Sequence, residues 1–233
     1  MNKILKSVVA AGTGLLMVAG VATAANGYSL FGTAEYVSPG NGSARAVELE
    51  SNNPGEFGGI DYTVPSGTTF ADLQTLSSDY MFTEGTCGLG SPRFQVNVAD
   101  PNSADTGNIF VYFGTPPNYN DCPTGVWTNT GNLLGVLPID TTQLDAGAFY
   151  DPYATALAKY GDYVVTGIQL VADSGTQVVQ IDNTNVDGTL YGYEANVPTN
   201  KEQCKKGGYA NLEDANGQPF KNQGQCVSYF NHQ

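Results

Sequence analysis

Apolar and polar positions alternate with a period of two in several runs of this 233-residue chain, the spacing of half-buried strands. The cleanest run is residues 93–98, where Phe94, Val96 and Val98 alternate with Gln95 and Asn97. Residues 108–113 make its expected partner. There Ile109, Val111 and Phe113 point one way and Phe110 and Tyr112 the other, so the strand is either central or covered on its outer face. Residues 163–194 read as three successive strands broken by Gly, Asn and Asp turn signals. Val164, Thr166, Ile168 and Leu170 are expected on one face of the first, with Val178 and Ile181 anchoring the second. Upstream, residues 30–37, 44–49 and 57–64 form strands separated by the turn clusters 38–42 and 52–55, and Ile60, Tyr62 and Val64 share a face. Residues 70–73 suit a helical turn or a short strand, and residues 133–139 a strand.

One segment reads as a helix: residues 153–160, with Asp151 as N-cap, Pro152 at the first helical position and Gly161 just past the end. So many strands around so short a helix predict a mostly-β chain, an antiparallel β-sandwich. Residues 115–131 are expected to be a long polar loop carrying the only Trp, Trp127.

The N-terminus changes the picture of where the protein works. Lys3 and Lys6 precede an apolar stretch over residues 8–21, and Ala22-Thr23-Ala24 supplies a small-x-small cleavage pattern. Residues 1–24 therefore read as a signal peptide, and no second apolar span follows, so the expected protein is secreted with no membrane span after cleavage. In an exported chain four cysteines imply two disulfides. Of the three pairings, Cys87 with Cys122 and Cys204 with Cys226 keeps each bridge within one segment.

Charge divides the chain in two. The formal net charge is −13, yet between residues 25 and 198 only Arg45, Arg93 and Lys159 are basic. Lys201, Lys205, Lys206 and Lys221 all lie beyond residue 198. The expected division is a sandwich over residues 25–197 and a small tail over 198–233, closed by its disulfide around Tyr209, Leu212 and Phe220. So acidic a body repels phosphates, which excludes nucleic acid as a partner.

Such a body suits neutral ligands, cations, or plain solubility in a salty exterior. Trp127 and Tyr119 sit in the polar loop beside Asn118, Asn120 and Asp121, and Tyr62 and Tyr112 could lie on an exposed strand face. Aromatic rings meet the C–H faces of sugars while amides and carboxylates take the hydroxyls, so these seven residues are the candidate ligand site. Asp100, Asn102, Ser103 and Asp105 place hard oxygens at the close spacing calcium loops use, although the terminal Glu of the twelve-residue pattern is absent. Catalysis has little to build on: the only histidine is His232, next to last, which excludes a histidine-based triad or zinc site. The expected protein is not an enzyme.

The tail segments Cys204-Lys205-Lys206-Gly207-Gly208-Tyr209 and Phe220-Lys221-Asn222-Gln223-Gly224-Gln225-Cys226-Val227-Ser228-Tyr229 resemble a short C-terminal motif of secreted bacterial proteins. They depart from it at Tyr209, where Trp is usual, and in a longer insert before Phe220. Through Gln180-Ile181-Asp182-Asn183, following the apolar strand around Gly167-Ile168-Gln169-Leu170, the body resembles the jelly-roll sandwiches of carbohydrate-binding modules. That resemblance implies a jelly-roll β-sandwich, a role for Asp182 in binding a structural calcium, and a carbohydrate or cell-surface glycan as partner. The expectation is a non-catalytic secreted binding protein. A structural component of the cell envelope whose tail docks to a partner is the alternative, and a glycoside-acting enzyme a more distant one.

Overall fold

The computed structural model describes residues 27–52, 55–215 and 217–232, so the signal peptide read from residues 1–24 lies outside the described residues. One sheet is built from β1 (Tyr28–Gly32), β4 (Gly58–Tyr62), β9 (Val164–Ala172), β6 (Arg93–Ala99) and β7 (Thr106–Tyr112), in that spatial order. The other runs β2 (Glu35–Val37), β3 (Ala46–Asn52), β10 (Thr176–Val186), β5 (Leu76–Glu84) and β8 (Thr128–Asn129), with β11 (Thr189–Tyr191) also pairing β10. Each pairing between these strands is antiparallel. From β3 onward the chain crosses between sheets so that β4-β9-β6-β7 faces β3-β10-β5-β8, the strand order of an eight-stranded jelly roll. The fold is the expected jelly-roll sandwich.

Period-two alternation explains the core. Phe94, Val96 and Val98 are fully buried between the sheets, as are Ile60 on β4 and Val179 and Ile181 on β10. Each such side chain stabilises by roughly 1.5–3 kcal/mol relative to exposure. Register decides the rest. Opposite β6 the pairing of β9 slips by one residue between Asn97 and Val98, so Val165 is buried and Thr166 exposed, reversing the expected face at that end. On β10 the inward residues are Val179 and Ile181, not Val178, because side chains an odd number apart cannot share a face.

Three other expectations change. Residues 30–37 are two strands in different sheets, parted at Gly32, whose positive φ of 65° bends the chain from one layer to the other. Residues 133–139 form a turn, broken by Gly135 and Pro138, with consecutive Leu133 and Leu134 both buried and Val136 exposed. Residues 70–73 resolve as a short 3-10 turn, Phe70–Asp72. The helix α1 (Tyr153–Tyr160) is where it was expected, but Pro152 is its N-cap. The Asp151 carboxylate turns instead to Thr141 and Lys159, each at 2.8 Å, and Gly161 stays right-handed.

Both expected disulfides form, Cys87–Cys122 and Cys204–Cys226. The second closes the C-terminal segment around a separate apolar cluster of Cys204, Leu212, Phe220 and Cys226, beside helix α2 (Gln223–Asn231). Arg45 joins this segment to the sandwich. Its guanidinium donates to the Tyr193 carbonyl and to Glu213 Oε1, the latter at 2.6 Å with both side chains largely buried. Among the described residues no helix is long and apolar enough to cross a membrane.

Candidate ligand site

Strand β7 is an edge strand, yet both of its faces are covered. Ile109, Val111 and Phe113 join the main core, while Phe110 and Tyr112 form a second cluster with Tyr119 on the outer side. The loop after β7 doubles back to make this possible. Thr115 and Asn120 pair across it, and Gly114 leaves so little room that a Cβ there would lie 2.2 Å from the Tyr119 backbone. Tyr119, at φ 49°, is thereby folded over Tyr112 with ring centroids 4.3 Å apart. Phe149 and Tyr150, from the segment before α1, close on the same group: Phe149 is 5.8 Å from Tyr119, and Tyr150 lies nearly parallel to it at 5.9 Å.

These rings wall a depression of about 580 Å³, with Gly88, Leu89 and Gly90 opposite Asn118, Tyr119 and Asn120. The two walls flank the Cys87–Cys122 bridge, since one follows Cys87 directly and the other precedes Cys122. The disulfide therefore staples the two sides of the site to one another. Next to it, Arg93 grips Asp173 with two bonds of 2.6 Å and lays its guanidinium over the Phe110 ring at 4.6 Å. That clamp stiffens the sheet beneath the aromatic cluster.

The polar groups divide into committed and available ones. Tyr112 donates to Asp140 Oδ2 at 2.6 Å, and Asp140 also accepts from the Thr142 amide and hydroxyl. Burial, then the bond to Asp140, raises the Tyr112 phenol above its ordinary range. Burial likewise pushes Tyr119 up to about 12, and its hydroxyl donates to the Pro138 carbonyl at 3.2 Å. Both phenols are neutral and occupied. The side-chain amides of Asn118 and Asn120, by contrast, make no hydrogen bond among the described residues, and Asn118 is exposed. Among the described residues, no charged one lines the depression.

Four of the seven sequence candidates thus converge: Tyr112, Asn118, Tyr119 and Asn120. Three do not. Tyr62 faces the interior, its hydroxyl 2.6 Å from that of Tyr193, because it shares the inward parity of Ile60. Trp127 is half-buried in the segment entering β8, and exposed Asp121 lies outside the lining. Sequence reasoning missed Leu89, Phe149 and Tyr150. Adjacent aromatics at 149 and 150, outside any alternating run, were a usable signal for the last two. The disulfide spacing pointed to the meeting of 88–90 with 118–120.

The acidic candidates sit in two separate places. Asp100 accepts from the Asn102 amide and the Ser103 hydroxyl, and Asp105 from Tyr163 at 2.7 Å, so this loop is a hydrogen-bonded turn. Asp182 lies opposite Asp79 in the β5–β10 pairing. Its carboxylate is filled by the Asn41 and Asn183 amides and the Ser43 hydroxyl, while Asp79 accepts from the side chains of Asn41, Asn129 and Asn183. Among the described residues no group of three or more acidic, Cys or His side chains could hold a metal.

No family model and no curated protein matches the chain. Among solved structures it is similar to a family 11 carbohydrate-binding module of a cellulosomal cellulase of Clostridium thermocellum, with 14% identity, 72% of this chain and 91% of that chain covered, and a TM-score of 0.43. A family 11 module from Clostridium thermocellum in complex with a β-1,3-1,4-mixed-linked tetrasaccharide matches at 14% identity, 70% and 90% coverage and the same TM-score of 0.43. An exo-β-agarase matches at 13% identity and a TM-score of 0.30, over 72% of this chain and 24% of that one. Superpositions this loose carry no argument about ligand; the jelly-roll assignment rests on the strand order itself.

Proposed function

We propose that this is a secreted, non-catalytic glycan-binding protein whose ligand site is the depression between residues 88–90, 118–120 and 149–150. One observation carries the reading: exposed rings of Phe149 and Tyr150 stand beside the unpaired amides of Asn118 and Asn120 in an open, uncharged hollow. Sugar rings present apolar C–H faces and neutral hydroxyls together, and this lining offers a surface for each. Hydrolysis of a glycosidic bond needs two carboxylates flanking the ligand, and this lining contains none. Two disulfides suit an oxidising exterior, in keeping with the signal peptide read from the sequence.

Insoluble-polysaccharide pull-down and a glycan array test the reading directly. Wild type is expected to bind at least one glycan class, with Phe149→Ala and Asn118→Ala each weakening that binding about tenfold, the equivalent of roughly 1.4 kcal/mol. Absence of glycan binding by the folded wild-type protein would sink the proposal.

A further inference from the structure

We infer that the ligand is a linear glycan whose chain crosses Tyr150 from the first depression into a second, so that the protein recognises the interior of a polymer instead of a single sugar. This rests on the reading of the first depression as a glycan site. The second depression, about 370 Å³, lies between the turn that carries Val136 and Pro138 and the start of α1 at Pro152 and Ala154. Tyr150 lines both hollows and is the ridge between them. Its hydroxyl donates to the Pro117 carbonyl, so the half-exposed ring is held in place before a ligand arrives. Each hollow alone falls within the roughly 300–1,000 Å³ that small ligands occupy.

The surface chemistry runs continuously across the ridge. The large apolar side chains exposed among the described residues are Phe57, Leu89, Val126, Val136, Phe149, Tyr150 and Leu190. Four of these, Leu89, Val136, Phe149 and Tyr150, lie on this one surface. Isolated exposed apolar residues are ordinary, whereas a run of them marks a binding surface. Among the described residues, no charged one lines the second hollow either. Both hollows open to solvent and Tyr150 between them is exposed, so a chain held in one has room to continue over the ring into the other. A pocket for a terminal sugar would instead be closed on one side.

Titration calorimetry with oligosaccharides of one to six residues tests this, using β-1,4-glucose, β-1,3-glucose, α-1,4-glucose, β-1,4-xylose and β-1,4-mannose series. Affinity is expected to rise at least tenfold from disaccharide to hexasaccharide in the series that binds. Ala154 is exposed on α1, so Ala154→Glu obstructs the second hollow without entering the core. It is expected to abolish the gain with length while leaving disaccharide affinity unchanged, and Val136→Ser is expected to reduce the gain. Melting curves confirm that the variants are folded. Equal affinity for disaccharide and hexasaccharide, or a gain untouched by both variants, overturns the inference and leaves the first site standing. No binding at any length overturns both.

Discussion

At the residue scale, the buried tyrosines show how a polar atom is carried into an apolar core. Tyr62 and Tyr193 pass their hydroxyls to one another and on to Thr184, itself 2.9 Å from Ser78, so each ring is buried without an unmet donor. Burial raises both phenols well above their ordinary range, since a phenolate there would be poorly solvated. Because the folded pKa exceeds the unfolded one, the stability these groups contribute is complete below about pH 10 and is lost as pH rises beyond it. Urea midpoints measured from pH 8 to 11 are therefore expected to hold steady and then fall above pH 10. Tyr62→Phe is expected to make that fall shallower. A midpoint indifferent to pH over that interval would contradict the assigned burial.

At the scale of elements, β7 and the loop that follows it decide the site. An edge strand invites pairing with another chain; here the backbone of Asp140 meets the edge at Phe110 with bonds of 2.9 and 3.0 Å, and the loop carrying Tyr119 covers the aromatic outer face. The Cys87–Cys122 bridge holds that loop against residues 88–90. Closing 35 residues, it stabilises the fold by roughly 3–4 kcal/mol in the chain-entropy account. Replacing both cysteines by serine is expected to lower stability by about that amount and to weaken glycan binding at least tenfold at a temperature where the variant is still folded. The same replacement at Cys204 and Cys226 is expected to leave binding unchanged, because that bridge lies in the separate C-terminal cluster. Equal binding losses in the two variants would show that the first bridge acts only on global stability.

At the scale of the whole molecule, the acidic sandwich and the more basic C-terminal segment meet through one largely buried ion pair, Arg45 with Glu213. The Asn196 and Glu213 backbones also pair, by a 3.1 Å bond. Removing one partner strands the other charge out of water, a loss of about 3 kcal/mol or more. Arg45→Ala is accordingly expected to speed amide exchange throughout residues 198–232 while the central strands β9 and β10 keep their protection. If β9 and β10 lost protection to the same degree, the segment would be part of a single cooperative unit with the sandwich.

Much of this architecture was legible in the chain. Alternation at Phe94, Val96 and Val98 announced a strand buried on one face, because side-chain direction along a strand is set by the backbone alone. Cysteine spacing anticipated both bridges, and the two-faced pattern at 109–113 left β7 either central or covered on its outer face, of which the structure shows the second. Local pattern is silent on register, and register decided that Val165 and not Thr166 points inward. It is equally silent on long-range meetings. Nothing local shows that Tyr62 faces the core across from Tyr193, or that Asp151 answers Thr141 and Lys159 in preference to its own helix. The residues of the candidate site are spread over 88–90, 112, 117–120 and 149–150. Only tertiary structure, through the return of one loop and one disulfide, brings those separate segments to a common surface. Composition and periodicity thus determined a mostly-β sandwich with two bridges, because strand alternation and cysteine spacing are local properties; packing between distant segments determined which side chains share one open depression.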